Sequence, residues 1–451
     1  MVMYLKLKWQ EVKNNHNTLL ALLFKNKKGD KRANYVIKIL DNLDNVISSL
    51  LLSNNLVNIL ASSLATAVLY DLFGLSGIFY ATTLMTIIIV IFAEILPKTY
   101  SLNMSRNKSV IGIVFGGKSS EHEVSIKSAK TIYNALRHLS NNERYTARPI
   151  YIDKYGYWHD YIFSESILFD KKDHLIFEER RVNLTNLSNM EDIDVWFPCL
   201  HGPNGEDGVI QGLFKSTGKP FVGSGVLGSA LGMDKIAMKS VFKSYNLPQV
   251  PYISLNKADI QNNLYMKSIY EQINKIISYP CFIKPANLGS SVGITKAYSK
   301  EEFITGIEFA AKYDERIIVE KSIEGRELEC GVLGKSIMKS SVVGEVKFQT
   351  DWYTYESKYN ANLSSTIIPA DLNIEISNKI QKLAIEACKA INAYGLARVD
   401  FFYQESTQQI YINEVNTLPG FTKTSMYPTL WEASGLKLEK LVASLIETAK
   451  E

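Results

Sequence analysis

The sequence predicts an α/β protein of several subdomains, preceded by a helical hairpin of membrane type, and three observations predict it. Residues 46–70 and 72–93 carry no charged side chain, and each stretch is long enough to cross a bilayer. From residue 109 onward, short apolar runs ending in glycine alternate with segments of helical period, the pattern of a doubly wound sheet. Near the C-terminus, two runs of period two flank a polar turn and read as an antiparallel hairpin. A length of 451 residues suggests about three compact units. A composition of 46% hydrophobic and 21% charged residues excludes wholesale disorder. The net charge of +4 is too small to argue for a nucleic-acid partner, and none is expected. Cys199, Cys281, Cys330 and Cys388 share no metal-ligand spacing, so they read as buried thiols in a reducing compartment.

The first element is the hairpin. Of its two apolar stretches, residues 72–93 make the stronger span, because residues 46–70 include Asn54, Asn55 and Asn58, which need a partner helix. Lys25, Lys27, Lys28, Lys31, Arg32 and Lys38 precede the pair, Lys98, Arg106 and Lys108 come after it, and Asp71 lies between. The positive-inside rule then puts both ends in the cytoplasm, so the chain beyond residue 108 is cytoplasmic and is membrane-tethered through residues 46–93. A buried helical hairpin of a soluble domain is the alternative. Residues 15–103 resemble part of the transmembrane domain of CorC-like magnesium/cobalt-efflux proteins. Without an earlier span or a subsequent CBS-type pair, this is a fragment to which we assign no transport; a fused gene is one explanation.

Next comes an N-terminal subdomain at residues 109–234. VIGIVFGG reads as a buried parallel strand with its exit turn, HEVSIKSAKTIYNAL as a helix, VWFPCLHG as a second strand, and GVIQGLFKSTG as a helix ending at Gly218. Residues 112–119 satisfy the pattern G-x-x-x-x-G-K-[ST]. Ile113, Val114 and Phe115 continue the strand, however, leaving too little loop to wrap a phosphate, so Lys118 is not a P-loop lysine. NLPQVPYISLNKADIQNN reads as a linker to the next subdomain.

Three constellations then carry chemistry. In CFIKPANLGSSVGI a strand ends at Lys284, and a flexible Gly/Ser run suits a nucleotide's phosphates; a surface turn is the plain alternative. Lys235 alone would read as a solvated lysine at a helix start. In RIIVEKSIEGRELECGVL, Glu320 and Glu327 sit at strand ends, where a carboxylate can meet a purine amine or ribose hydroxyls but is as readily an ordinary edge charge. In ARVDFFYQESTQQIYINEVNTLPGF, Asp400 lies on one strand, and Glu414 and Asn416 share a face of the other. Such oxygen donors suit Mg²⁺ shared with substrate phosphates. Arg398 shares the Asp400 face, and the turn at Pro419 and Gly420 offers an amide for developing negative charge. A charged surface hairpin fits poorly with the apolar VDFF and IYINEV.

Taken in order, GGKSSEHEVS, PCLHGPNGEDG, GSGVLGSALGMDK, KPANLGSSVG, EKSIEGRELE, YESKY, ARVDFF and NEVNTLPGFTKTSMYP resemble the D-alanine–D-alanine ligases of the ATP-grasp superfamily, over residues 109–451. The resemblance implies an ATP-grasp fold, with a central subdomain at 235–320 and a catalytic subdomain at 321–451 behind a membrane-type fragment at 1–105. It implies a homodimer and a place in peptidoglycan synthesis. It further implies that Glu121, Ser290 and Tyr359 form a triad closing the site, with Glu121 on the first D-alanine's ammonium and His201 near its carboxylate. Lys235, Lys284 and Ser291 would contact the phosphates of ATP, and Glu320, Lys321, Ile323 and Glu327 its adenosine. Asp400, Glu414 and Asn416 would hold two Mg²⁺ or Mn²⁺ ions. Arg398 and Gly420 would form an oxyanion hole, and Ser425 and Met426 would receive the second D-alanine.

The implied reaction makes an acyl phosphate from the first D-alanine and ATP, which the second D-alanine's amine then attacks. Water must be excluded meanwhile, and the segment KFQTDWYTYESKYNANLSST is a candidate lid. A tyrosine at 359 accompanies D-alanine as second substrate in this family, where D-lactate ligases typically carry histidine. Alternatives are another ATP-grasp carboxylate–amine ligase, such as one making D-alanyl-D-lactate, and a membrane ion-transport or binding module with a non-catalytic C-terminal region.

Overall fold

The structure is a computed structural model that describes residues 43–88, 90–91, 108–138, 140–169, 181, 190, 192–289, 292–348, 364–422 and 424–451. It divides into two compact units, residues 1–108 and 109–451.

In the first unit, helix α1 (Leu43–Phe73) is succeeded by helix α2 (Leu75–Ile88). The break falls at Gly74, in the left-handed region with φ of 63°, and not at Asp71. A charge near a helix end does not stop the ladder, whereas a left-handed glycine does. A Cβ on Gly77 would lie 2.0 Å from the Leu69 carbonyl oxygen, so glycine lets the second helix turn close against the first. Among the described residues the one helix long and apolar enough to cross a membrane contains Asn55–Phe73, of mean hydropathy 1.6 and with none of it buried. α2 is described over 14 residues, and part of the stretch 72–93 read as the stronger span lies outside the described residues. Thr66, Thr82 and Thr86 return their hydroxyls to carbonyls one turn back.

The second unit begins with a three-stranded parallel sheet in the order β2 (Tyr145–Ile152), β1 (Ser109–Gly116), β3 (Val195–Cys199). β1 is buried from Ile111 to Gly116, as a strand covered on both faces must be. One face packs on helix α3 (His122–Arg137), through Ile132 and Leu136, and the other packs Val114 with Trp196, Ile210 and Phe214. Gly112 to Gly116 lie inside the strand, which removes the phosphate loop that the glycine pattern imitates. Lys118 lies over Gly156 instead: a Cβ there would meet its Cε at 2.3 Å.

The region read as a linker is a correction. Tyr252–Asn256 forms strand β4, the edge of a four-stranded antiparallel sheet ordered β4, β7 (Arg316–Lys321), β5 (Cys281–Pro285), β6 (Thr295–Ala297). Ile253 and Leu255 are buried between exposed Ser254 and Asn256. The prolines and asparagines around so short a run masked its period of two.

A five-stranded sheet completes the unit, ordered β10 (Ser364–Ile367), β9 (Lys339–Phe348), β8 (Arg326–Gly334), β11 (Gly395–Gln404), β12 (Gln409–Asn416). Helices α4 (Lys235–Ser244) and α5 (Ile374–Ala390) share its core through Met238, Phe242, Ile380 and Ala387. Helix α6 (Met426–Ala433) reaches the sheet through Tyr427, whose hydroxyl donates to the Val332 carbonyl at 3.0 Å. All four cysteines are free and buried, in line with the reading of their spacing.

Candidate active site

A cleft of about 460 Å³ opens where the four- and five-stranded sheets present their strand ends. Nine residues singled out in the sequence line it: Lys235, Lys284, Glu320, Lys321, Ile323, Glu327, Arg398, Asp400 and Glu414.

At one end lies a chain of buried ion pairs. Glu320, at the end of β7, is held by Lys239 at 2.8 Å and by Lys284 at 2.6 Å. Burial alone would raise its carboxyl, but the two ammonium groups outweigh it and bring it down to about 2. Burial likewise works against the charge on Lys284, and Glu320, Glu414 and Glu327 outweigh it, so its pKa is raised. Lys239, 1% exposed, was not singled out in the sequence. Its one available signal was position, four residues after Lys235 on the same face of α4. Glu320, expected at the adenosine, lines the cleft and pairs with the two lysines. Lys235 Nζ donates to the Leu288 carbonyl at 2.7 Å and lies 3.6 Å from Glu414.

The other wall is a row of acids. In register across β8, β11 and β12, Glu329 faces Asp400, and Asp400 faces Glu414. Like charges directly opposed on a sheet repel, so this row needs cations. Arg398 supplies one, with Nε 2.9 Å from Glu329 and a two-pronged bond to Asp400 at 2.7 Å on each side. Glu327 records the crowding: burial first, then Asp400 and Glu414, raise its carboxyl to about 7 against the opposing pull of Lys284. Glu329 was also missed in the sequence, although it stands two residues from Glu327 on one strand. A bulge after Asp400 pairs Phe401 with Ile412, inserting Asn413, which lines the cleft. Asn416 stands opposite Arg398 and accepts from the Leu418 amide at 3.1 Å.

This crowding carries a pH prediction. A carboxyl raised in the folded state binds its proton more tightly there than in the unfolded chain, so stability falls as pH rises from about 4.5 to about 7 and is flat above. Without metal or nucleotide, Glu327→Gln is expected to remove that slope and gain roughly 1–2 kcal/mol at pH 8 relative to pH 5, allowing for solvent screening. Urea midpoints at the two pH values measure it; parallel wild-type and variant curves would sink it.

A second cluster lies around the turn after β12. Glu121 immediately precedes α3, and Gly202, with φ of 77°, lets its carboxylate approach, since a Cβ there would be 3.2 Å from Glu121 Oε2. His201 is buried; burial would lower its pKa, but Glu206 and Glu121 outweigh it and raise it. Gly420 sits where a Cβ would be 2.9 Å from Ser425 Oγ, and Ser425 accepts from the Thr422 amide at 3.0 Å. Met426 turns into the core, against Gly344. Ser290, Ser291, Tyr359 and residues 349–363 of the candidate lid lie outside the described residues.

Among the described residues no three His, Cys, Asp or Glu side chains close a metal shell alone. The acid row supplies oxygen donors of the kind a hard divalent cation prefers.

A cleft with buried lysines at one end, an acid row along its wall and an arginine bridging that row, between two antiparallel sheets, defines an ATP-grasp ligase. Family comparison agrees. Residues 110–224 match the D-ala D-ala ligase N-terminus and residues 241–447 the D-ala D-ala ligase C-terminus. A curated D-alanine--D-alanine ligase of Prochlorococcus marinus (strain NATL1A) is 96% identical over 348 residues, which are 77% of this chain and all of that protein. Its counterpart in Synechococcus sp. (strain CC9605) is 49% identical, again over 77% of this chain and its own whole length. Among solved structures, the D-alanine-D-alanine ligase from Coxiella burnetii superposes with a TM-score of 0.63 at 34% identity, covering 76% of this chain and 94% of that one. The VanG D-Ala:D-Ser ligase from Enterococcus faecalis gives 0.66 at 33%, covering 76% and 99%. The chain belongs to the D-alanine–D-alanine ligase family. Residues 17–115 match a different family, the Cyclin M transmembrane N-terminal domain.

Proposed function

We infer that residues 109–451 join two D-alanines, at the expense of ATP, into D-alanyl-D-alanine for peptidoglycan synthesis. The observation that carries this reading is the single cleft that gathers nine of the expected residues, eight from α4, β5, β7, β8, β11 and β12 and Ile323 from the loop between β7 and β8. Lys235 and Lys284 offset the charge of the phosphates. Glu327, with Lys321 and Ile323 beside it, takes the adenosine. Asp400, Glu414 and Asn416 would hold the divalent ions, which would supply positive charge to offset that of the phosphates. Glu121 takes the ammonium of the first D-alanine, and His201 its carboxylate. Once the acyl phosphate has formed, the second D-alanine's amine attacks its carbonyl carbon beside Ser425 and Met426. Arg398 and the Gly420 amide receive the charge on the oxygen. Ser290, Ser291 and Tyr359 complete the phosphate contacts and close the site.

We also propose the subdomain division 109–234, 235–320 and 321–451, supported by the three sheets, which fall one to each range apart from the last residue of β7. We propose a homodimer, testable by light scattering. The exposed apolar surface of α1 supports membrane tethering of a cytoplasmic catalytic unit; carbonate extraction of membranes tests it, and a fully soluble chain would refute it.

The test of function is ADP release by the full-length chain with Mg²⁺-ATP, comparing D-alanine alone, D-alanine with D-lactate, D-alanine with D-serine, and L-alanine, with products identified by mass. D-alanine-dependent ADP release with D-alanyl-D-alanine as the product supports the reading. A mixed product, or none, overturns it.

A further inference from the structure

One hydroxyl near the second cluster has no part in the reaction as so far assigned. Ser128 lies within α3, on the helix face that also carries Ser125 one turn earlier. Ser125 serves the fold: it accepts from the Gly116 amide at 2.7 Å and donates to the Cys199 carbonyl. Ser128, 1% exposed, reaches instead into the C-terminal part of the chain. Its Oγ accepts from the Phe421 amide at 3.0 Å and lies 3.2 Å from His201 Nε2. The other ring nitrogen of His201, Nδ1, donates to the Leu418 carbonyl at 3.1 Å.

These bonds grip the turn on both sides of Gly420. His201 fixes the peptide after Leu418, and Ser128 fixes the peptide that joins Gly420 to Phe421. An amide useful to an oxyanion must already point at the place where charge develops, because reorienting it during reaction costs what its charge would return. A turn held at one end alone could rotate.

We propose that Ser128 is a positioning residue for the second half of the reaction, acting through the Phe421 amide to aim the Gly420 N–H at the tetrahedral intermediate. The inference rests on the reading of the chain as a D-alanine ligase. In that half-reaction the amine nitrogen forms a bond to the acyl-phosphate carbon, the carbon–oxygen bond to phosphate breaks, phosphate leaves with the electron pair, and the nitrogen gives up a proton. With the amide misaimed, the acyl phosphate outlives the slowed attack and escapes to solvent, where water adds to its carbonyl carbon and returns D-alanine and phosphate. Formation of the acyl phosphate does not use Gly420, and His201 keeps its bond to the Leu418 carbonyl when the Ser128 hydroxyl is lost, so that step is spared.

The test measures ADP and dipeptide separately, in the full-length chain with Mg²⁺-ATP and D-alanine. Wild type yields equal amounts. Ser128→Ala is expected to lower dipeptide formation on the order of tenfold, less than the ~10²–10³ supplied by an entire oxyanion donor, since the amide remains but is no longer held. ADP release and the KM for ATP stay within about twofold, so ADP outruns dipeptide. Ser128→Thr, which keeps the hydroxyl, restores equality. Ser128→Cys, of similar shape but a weaker acceptor, falls between, and it reads the bond even if the alanine variant does not fold. Equal loss of ADP and dipeptide, or no change in either, overturns the inference. A wild-type chain that releases ADP without dipeptide overturns the ligase reading itself, a result distinct from both.

Discussion

Lys284→Met is expected to lower kcat/KM for ATP by roughly 10²–10³, mostly through KM, because it removes the buried ammonium that we propose meets the phosphates. The fold survives the change. Glu320 keeps its second partner, Lys239 at 2.8 Å, so no carboxylate is stranded in the interior. Lys118→Ala is the matched control. Its side chain belongs to a glycine pattern that looks like a phosphate loop but lies at the end of β1, over Gly156. That variant should bind ATP within about twofold of wild type. Steady-state kinetics and calorimetric titration of nucleotide on both variants decide the matter. If Lys118→Ala lost ATP and Lys284→Met kept it, the assignment of the cleft would fail.

Arg398 is expected to give the other large effect, on two separate readouts. Its guanidinium is the bridge between Glu329 and Asp400, with all three side chains no more than 15% exposed. Removing one partner from a buried charge network leaves the others uncompensated, which typically costs ~3–5 kcal/mol. Arg398→Met should therefore lower the stability read from urea unfolding by that much at pH 7, and Mg²⁺ should recover part of it by neutralising the bared acids. Arg398→Lys retains a charge but loses the planar fork that engages two carboxylates at once. Its kcat is expected to fall ~10²–10³ with the KM for ATP little altered, the pattern of an interaction made in the transition state. A variant with unchanged kcat would remove Arg398 from the oxyanion role.

Much of this is legible in the sequence alone. The buried strand at VIGIVFGG, the antiparallel pair around residues 404–409 and the facing of Asp400 with Glu414 all come from apolar runs and from the period-two rule, which act over a few residues. The ligase motifs, several and in order, point to the family. Where the reading fails, the signal is local but diluted. β4 is five residues long among prolines and asparagines, and its alternation is hidden by the composition around it. The break between the N-terminal helices was placed at the charged Asp71 when the backbone turns at Gly74, where only a glycine relaxes in the left-handed region.

The amino-acid sequence by itself determined which chemical groups this protein possesses: the lysines and acids that line the cleft, the glycine of a tight turn, the apolar length of an N-terminal helix. Tertiary structure alone decided which of them meet. Lys239 and Glu320 are 81 positions apart in the chain, and Ser128 and Phe421 293 apart; no periodicity spans such separations. The row of Glu329, Asp400 and Glu414 exists because three strands pair in one register, and the bulge that admits Asn413 appears only once they do. Charge and burial then act on the assembled groups, which is why Glu320 and Glu327, seven residues apart and of one chemical kind, are driven in opposite directions.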